Sequence, residues 1–135
     1  MRKVIHVDSL PDLRDAGLSQ GIETDDYVFV ATMAFHPGER PPRRDDSAKS
    51  ITDETRICLD RMETKLEAAG IDLSHVVKMT VYLSDRNYQA EFIEAYKEYG
   101  EKYWPNGEWP MRTTHYCGIA RDCRIELDAI AVKRK

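Results

Sequence analysis

One arginine and two carboxylates near the C-terminus have the types and spacing to do chemistry. Arg112 follows Pro110 at the predicted entrance to a strand. Glu126 and Asp128 lie two residues apart in the last apolar segment, so they share one face of a strand. An arginine fork can clamp a carboxylate, and a carboxylate can move protons. From the residues alone, a structural role for Arg112, paired with Glu126 or Asp128, is favoured, and a ligand clamp is the alternative.

Composition limits what such a site can act on. The chain has 135 residues, 41% of them apolar and 33% charged, which predicts one compact domain over residues 1–135. No signal-peptide core is present, and no apolar run approaches the roughly 20 residues of a spanning helix, so we expect no membrane association and a cytoplasmic location. A formal net charge of -4 gives no electrostatic reason to expect nucleic acid as a partner. Small molecules are the better candidates.

The three cysteines suggest neither a disulfide framework nor a metal centre. Cys58, Cys117 and Cys123 are odd in number and lack framework spacing, so we expect reduced, mostly buried thiols. His115 with Cys117 and Cys123 fits no common zinc pattern, so no metal is predicted. A Cys117 nucleophile with His115 as its base is geometrically allowed on one strand face. No other feature of the sequence supports it.

Two segments have the apolar spacing of helices. One apolar face runs from Ile51 to Ala69, with Ser47 or Ser50 as its N-terminal cap and Gly70 as its C-terminal residue. The polar positions of this helix include charged residues that we expect on its solvent face: Asp53, Glu54, Asp60, Arg61 and Lys65. A second, aromatic stripe runs from Tyr88 to Tyr103 and is typical of a packed core rather than of a cofactor site.

The remaining segments predict strands and one long loop. Alternation over residues 76–83 predicts a central strand with Val77 and Met79 on the same face. Residues 36–47, rich in proline and charge, predict a surface loop whose three arginines are solvated rather than bound to an anion. Two helices and about six strands indicate an α+β fold with both helices on one sheet face. The open face favours oligomerisation.

The order of several motifs resembles one known family. These motifs are LEAAGIDLSHVVKMTVYLSD, FIEAYKEYG, PMRT and IELDAIAV, in that order. Over roughly residues 17 to 133 the chain resembles the RidA (YjgF/UK114) family of reactive-intermediate deaminases. The resemblance implies a chorismate-mutase-like α+β fold with a mixed sheet, and homotrimers with clefts between subunits. It also implies cofactor-free hydrolysis of enamines and imines, such as aminoacrylate, to a keto acid and ammonia.

The resemblance assigns roles to individual residues. Arg112 matches the family arginine that clamps the substrate carboxylate, and Glu126 matches the carboxylate that holds the attacking water and passes protons. Backbone N–H groups near Thr32 and Thr114 are expected to help hold the substrate carboxylate. Further residues expected to line the substrate site are Leu18, Met33, Ile93 and Tyr116.

The pocket lining departs from the family pattern. Leu18 stands where the family commonly has tyrosine, Ile93 replaces an asparagine, and Thr114 replaces a cysteine. The strand motif that usually ends SGQ here reads Ala31-Thr32-Met33. These changes leave open a larger or aromatic-derived imino acid as substrate. They also leave open a non-catalytic protein that binds small carboxylates or regulates a partner, whereas the ribonuclease activity sometimes attached to the family is disfavoured by the net charge.

Overall fold

Six strands form one mixed sheet in the order β1-β2-β3-β6-β4-β5. The computed structural model describes all 135 residues. The strands are β1 (Arg2–Ile5), β2 (Gly21–Thr24), β3 (Tyr27–Met33), β4 (Val76–Leu83), β5 (Met111–Tyr116) and β6 (Ile125–Val132). β4 and β5 run parallel, and all other neighbouring strands are antiparallel. The predicted mixed sheet of about six strands is therefore confirmed.

Two main helices pack on one face of this sheet, as predicted. They are α1 (Ile51–Glu67) and α2 (Gln89–Glu98), and a short α3 (Gly100–Tyr103) continues from α2. The side chains of Leu59, Met62 and Phe92 are fully buried in the core between the helices and the sheet. Of the two candidate caps, Ser50 is used, since its Oγ accepts a hydrogen bond from the Asp53 N–H at 3.1 Å. No helix has the length and apolar character needed to cross a bilayer.

The prediction that Val77 lies on the same face of β4 as Met79 is wrong, because β4 contains a bulge. Val76 pairs with Ala131 and Lys78 with Ile130, so Val77 has no partner of its own on β6. Val76 is buried, whereas Val77 is 46% exposed. One extra residue in a strand moves the side chains before the bulge to the opposite face. Strict alternation in the sequence does not reveal this change.

Residues 36–47 form an irregular surface loop, as predicted. Arg40 pairs with Asp15 at 2.8 Å, and Arg43 pairs with Asp46 at 2.8 Å. Both arginines are therefore neutralised by carboxylates of the same chain rather than free to attract an external anion.

Glu54 corrects the expectation that the polar positions of α1 face solvent. Its side chain is 0% exposed. Oε2 accepts hydrogen bonds from the backbone N–H groups of Arg124 at 2.7 Å and Ile125 at 3.1 Å, and Oε1 accepts from Arg124 Nη1 at 2.8 Å. A buried carboxylate is stable only when it is paired and hydrogen-bonded in this way. Glu54 therefore fastens α1 to the start of β6, two residues before Glu126.

We predict that Glu54→Ala strongly destabilises the fold, because it removes the carboxylate partner of the partly buried Arg124 guanidinium and the acceptor of the backbone N–H groups of Arg124 and Ile125. The expected loss in the free energy of unfolding is about 3–5 kcal/mol, measured by urea denaturation. Glu98→Ala is the matched control, since it removes the exposed ion pair of Glu98 with Arg56, and its loss should be much smaller. Equal losses in the two variants would contradict the anchoring role of Glu54.

Candidate functional site

Arg112 lies on β5, the edge strand of the sheet, and its side chain rests on aromatic rings of α2. Its Cζ is 5.4 Å from the ring centroid of Phe92 and 5.1 Å from that of Tyr96. Nη1 is also 3.4 Å from the hydroxyl of Thr114, a long hydrogen bond. Stacking on two rings orients a guanidinium without using its N–H donors. Arg112 forms no ion pair within the chain, so its guanidinium has N–H donors free for a ligand.

A cavity of about 330 Å³ opens beside this arginine. It is lined by Ile93, Tyr96, Lys97, Trp109, Pro110 and Arg112. The Trp109 ring lies directly over Gly100, where a Cβ atom would approach Trp109 Cη2 to 2.3 Å. Any larger residue at position 100 would therefore push this wall of the cavity outward. Tyr116 is not part of this lining; its hydroxyl donates to Gln89 Oε1 on the surface.

Glu126 lies on β6 between Met33 of β3 and Tyr82 of β4. Burial, and then the charge of nearby Asp128, raises the pKa of Glu126. The Tyr82 hydroxyl donates to Asp128 Oδ2 at 3.1 Å and so holds that second carboxylate in place. The ring of His115 stacks on Tyr82, with 5.6 Å between centroids. A carboxyl group whose pKa is raised beside a fixed carboxylate is a candidate for proton exchange.

A second cavity, of about 210 Å³, holds four of the residues predicted for the site. Leu18, Thr32, Met33 and Glu126 all line it. It follows the part of β3 that β2 leaves uncovered, because the pairing of the two strands ends at Val30.

Two cations of α1 occupy this uncovered edge of β3, and sequence reasoning missed both. Lys65 Nζ donates to the carbonyl of Ala31 at 2.5 Å, and Arg61 Nη1 donates to those of Met33 at 2.9 Å and Phe35 at 2.7 Å. Alternate carbonyls along one strand edge are thus satisfied by side chains instead of a neighbouring strand. Arg61 and Lys65 are four residues apart, which places both on one face of α1. This spacing was the sequence signal that could have identified them.

The side chains of Arg112 and Glu126 lie on opposite faces of the sheet. Arg112 pairs in register with Met79, whose side chain is buried under the helices, and it contacts α2. Glu126 alternates with the fully buried Ile125 and Leu127, so its side chain projects from the other face. The chain therefore brings together Leu18, Thr32, Met33 and Glu126, and separately Arg112, Thr114 and Ile93. The structural alternative, an ion pair of Arg112 with Glu126 or Asp128, does not form within the chain.

The cysteines form no cluster with other metal-binding side chains. Cys58 and Cys123 are buried free thiols, and Cys117 is an exposed one. Burial raises the pKa of both buried thiols, which makes them poor nucleophiles. No group of three or more histidine, cysteine or acidic side chains is arranged to hold a metal ion.

The sequence and the fold correspond to a known family. The family model described as "Endoribonuclease L-PSP" matches residues 14–133, and the chain belongs to this family, the YjgF/RidA proteins. The "RutC family protein PH0854" of Pyrococcus horikoshii is 35% identical over 139 aligned positions, covering 98% of this chain and 99% of the relative. The "2-iminobutanoate/2-iminopropanoate deaminase" of Salmonella typhimurium is 28% identical over 110 positions, covering 79% of this chain and 84% of the relative.

A solved structure supports the fold. The crystal structure of Escherichia coli TdcF with bound serine superposes with a TM-score of 0.82 at 24% identity, covering 97% of this chain and 98% of that chain. The family model confirms the predicted family, and the solved structure shares the sheet with two main helices.

We predict that Asp128→Asn lowers the pKa of Glu126, because it removes the neighbouring negative charge while burial remains. The measurement is a pH titration of the carboxyl carbons by NMR on protein labelled with ¹³C-glutamate. Asp85→Asn, at an exposed turn beyond the end of β4, is the control and should leave the Glu126 titration unchanged. A Glu126 pKa that is the same in the Asp128→Asn variant would contradict the coupling.

Proposed function

We propose that this protein hydrolyses 2-imino acids, and the enamines that tautomerise to them, to 2-keto acids and ammonia. Water forms a new C–O bond at the imine carbon, the C–N bond breaks, and nitrogen leaves as ammonia. The observation that carries this proposal is the unpaired guanidinium of Arg112, held by two rings beside an open cavity. Membership of a family whose relatives include a named imino-acid deaminase supports the same activity.

Arg112 has the properties of a carboxylate clamp. Its planar fork can bind both oxygens of a carboxylate, and it stays charged at any working pH. Phe92 and Tyr96 hold the guanidinium in place through cation–π contacts, so little side-chain freedom is lost when the substrate binds. The free backbone groups of Thr114 on the edge strand β5 would add hydrogen bonds to the same carboxylate.

Glu126 is proposed to handle the water and the protons. As a carboxylate it can accept a proton from the attacking water, and as a carboxylic acid it can donate one to the departing nitrogen. Its raised pKa brings the two forms closer to balance near neutral pH. Such proton transfers contribute typically about 10²–10⁴-fold to a rate.

Because the two residues lie on opposite faces of one chain, we propose that a second copy completes the site. In a homotrimer, each of three clefts would join Arg112 of one copy to Glu126 of the next. The helix-free face of the sheet supports this assembly, since Tyr27 is 46% exposed and Phe29 40% exposed there. An exposed group of large apolar side chains of this kind marks a surface that binds protein.

The description of the family model as an endoribonuclease raises an alternative function. RNA binding relies on unpaired cations along a surface. Here the net charge is -4, and Arg40 and Arg43 of the surface loop are already paired with Asp15 and Asp46. We therefore favour a small carboxylate as the ligand of Arg112.

We predict that Arg112→Ala lowers kcat/KM for imine hydrolysis by about 100-fold or more, because a charge-assisted bidentate clamp is lost. Imines are generated in situ by an amino-acid oxidase, and the decrease in their trapping by semicarbazide is measured. Arg86→Ala, at an exposed arginine outside both cavities, is the control and should retain full activity. Undiminished turnover by Arg112→Ala would contradict the proposal, and carboxylate binding without any turnover by the unmodified protein would identify a binding protein instead.

We also predict complementation between Arg112→Ala and Glu126→Gln, each expected to be inactive alone. When equal amounts are unfolded together and refolded, about a quarter of the clefts in randomly mixed trimers should contain both intact residues. Light scattering after size-exclusion chromatography should show a trimer for each variant. A monomer, or no recovered activity in mixed trimers, would contradict a site shared between copies.

A further inference from the structure

Lys65 is a buried cation without an acidic partner. Only 6% of its surface is exposed, and burial lowers the pKa of its ammonium group to about 8. The ionisable groups that act on it are the Cys58 thiol and the Arg61 guanidinium, and neither is a carboxylate. The bond to the Ala31 carbonyl uses one of its three N–H donors. The remaining donors are available to an anion that reaches the cavity.

Thr32 gives a second, independent indication of a ligand site in this cavity. It lines the same cavity as Lys65 and is 3% exposed, yet its Oγ1 has no hydrogen-bond partner. Buried hydroxyl groups nearly always have a partner, so this hydroxyl is available to a polar atom of a ligand in the cavity.

The size and charge of the cavity suit a short acidic group. Its volume of about 210 Å³ is large enough to hold several water-sized groups. Two cations, Arg61 and Lys65, line it against one carboxylate, Glu126. Arg61 is already engaged by two carbonyls and by Asp45 at 3.4 Å, so Lys65 is the cation of this lining whose donors remain for a ligand.

We propose that this cavity binds a second carboxylate, which makes 2-imino acids with an acidic side chain the preferred substrates. This inference rests on the proposed function, in which Arg112 of a neighbouring copy clamps the first carboxylate. The second carboxylate accepts hydrogen bonds from Lys65 Nζ and Thr32 Oγ1. Lys65 and Thr32 thus determine specificity, whereas Arg112 and Glu126 act at the reacting carbon.

The test compares two imines of equal chain length, 2-iminoglutarate and 2-iminopentanoate, generated in situ from glutamate and norvaline. The unmodified protein should favour the acidic imine in kcat/KM by about 10-fold or more, as one charge-assisted hydrogen bond predicts. Lys65→Met should raise KM for the acidic imine alone and bring the ratio near one. Lys65→Arg, which keeps the cation, and Lys49→Met, at an exposed lysine, should retain the preference.

Calorimetry with the products separates this inference from the proposed function. The unmodified protein should bind 2-oxoglutarate more tightly than 2-oxopentanoate, and Lys65→Met should lose the difference. If these binding preferences are observed but no imine releases ammonia, the site for the second carboxylate is supported and the deaminase proposal is refuted. Equal turnover of both imines with equal binding of both products would overturn the subsite and leave the deaminase proposal intact. If circular dichroism shows that Lys65→Met unfolds below the assay temperature, the Lys65→Arg variant and the unmodified protein decide the outcome.

Discussion

The rest of the structure depends on the buried carboxylate of Glu54. Its two oxygens accept hydrogen bonds from the backbone of Arg124 and Ile125 and from the Arg124 guanidinium. An isolated charge in this core would be costly, so the carboxylate holds β6 at one position relative to α1. β6 lies between β3 and β4, and a shift of one residue would exchange its two faces. The hydrogen bonds of Glu54 therefore determine that Leu127 faces the core and that Glu126 faces the side of the sheet without helices.

The alternation of side chains across the sheet sets the second constraint. β5 and β6 are separated by β4, and Arg112 and Glu126 project from opposite faces. No rearrangement of side chains within one chain can bring a guanidinium and a carboxylate together through a packed sheet. A two-residue site of this kind needs either a different fold or a second copy, and the exposed apolar face supplies a surface for the latter.

The uncovered edge of β3 links the stability of the fold to its chemistry. Strand edges leave carbonyls without partners, and proteins cover or charge such edges. Here Arg61 and Lys65 of α1 perform that role. The same two side chains place positive charge in the cavity that contains Thr32 and Glu126. The side chains that cover the free edge of β3 therefore also determine what the neighbouring cavity can bind.

The sequence by itself determined those features that depend on one element at a time. The apolar spacing of Ile51 to Ala69 predicted α1, and alternation placed Glu126 and Asp128 on one face of β6. The ordered motifs identified the family, and with it the candidate roles of Arg112 and Glu126. Each of these inferences needs only neighbours within a few residues or a match of motif order.

Only the tertiary structure decided which polar residues are buried and which site residues meet. Glu54 and Lys65 occupy polar positions of α1, yet both are buried, because backbone groups far along the chain provide their hydrogen-bond partners. The bulge at Val77 depends on the pairing of β4 with β6. The separation of Arg112 from Glu126 depends on strand order and register, which no local pattern encodes. Burial and proximity are properties of pairs distant in sequence, so they arise only when the sheet and helices have assembled.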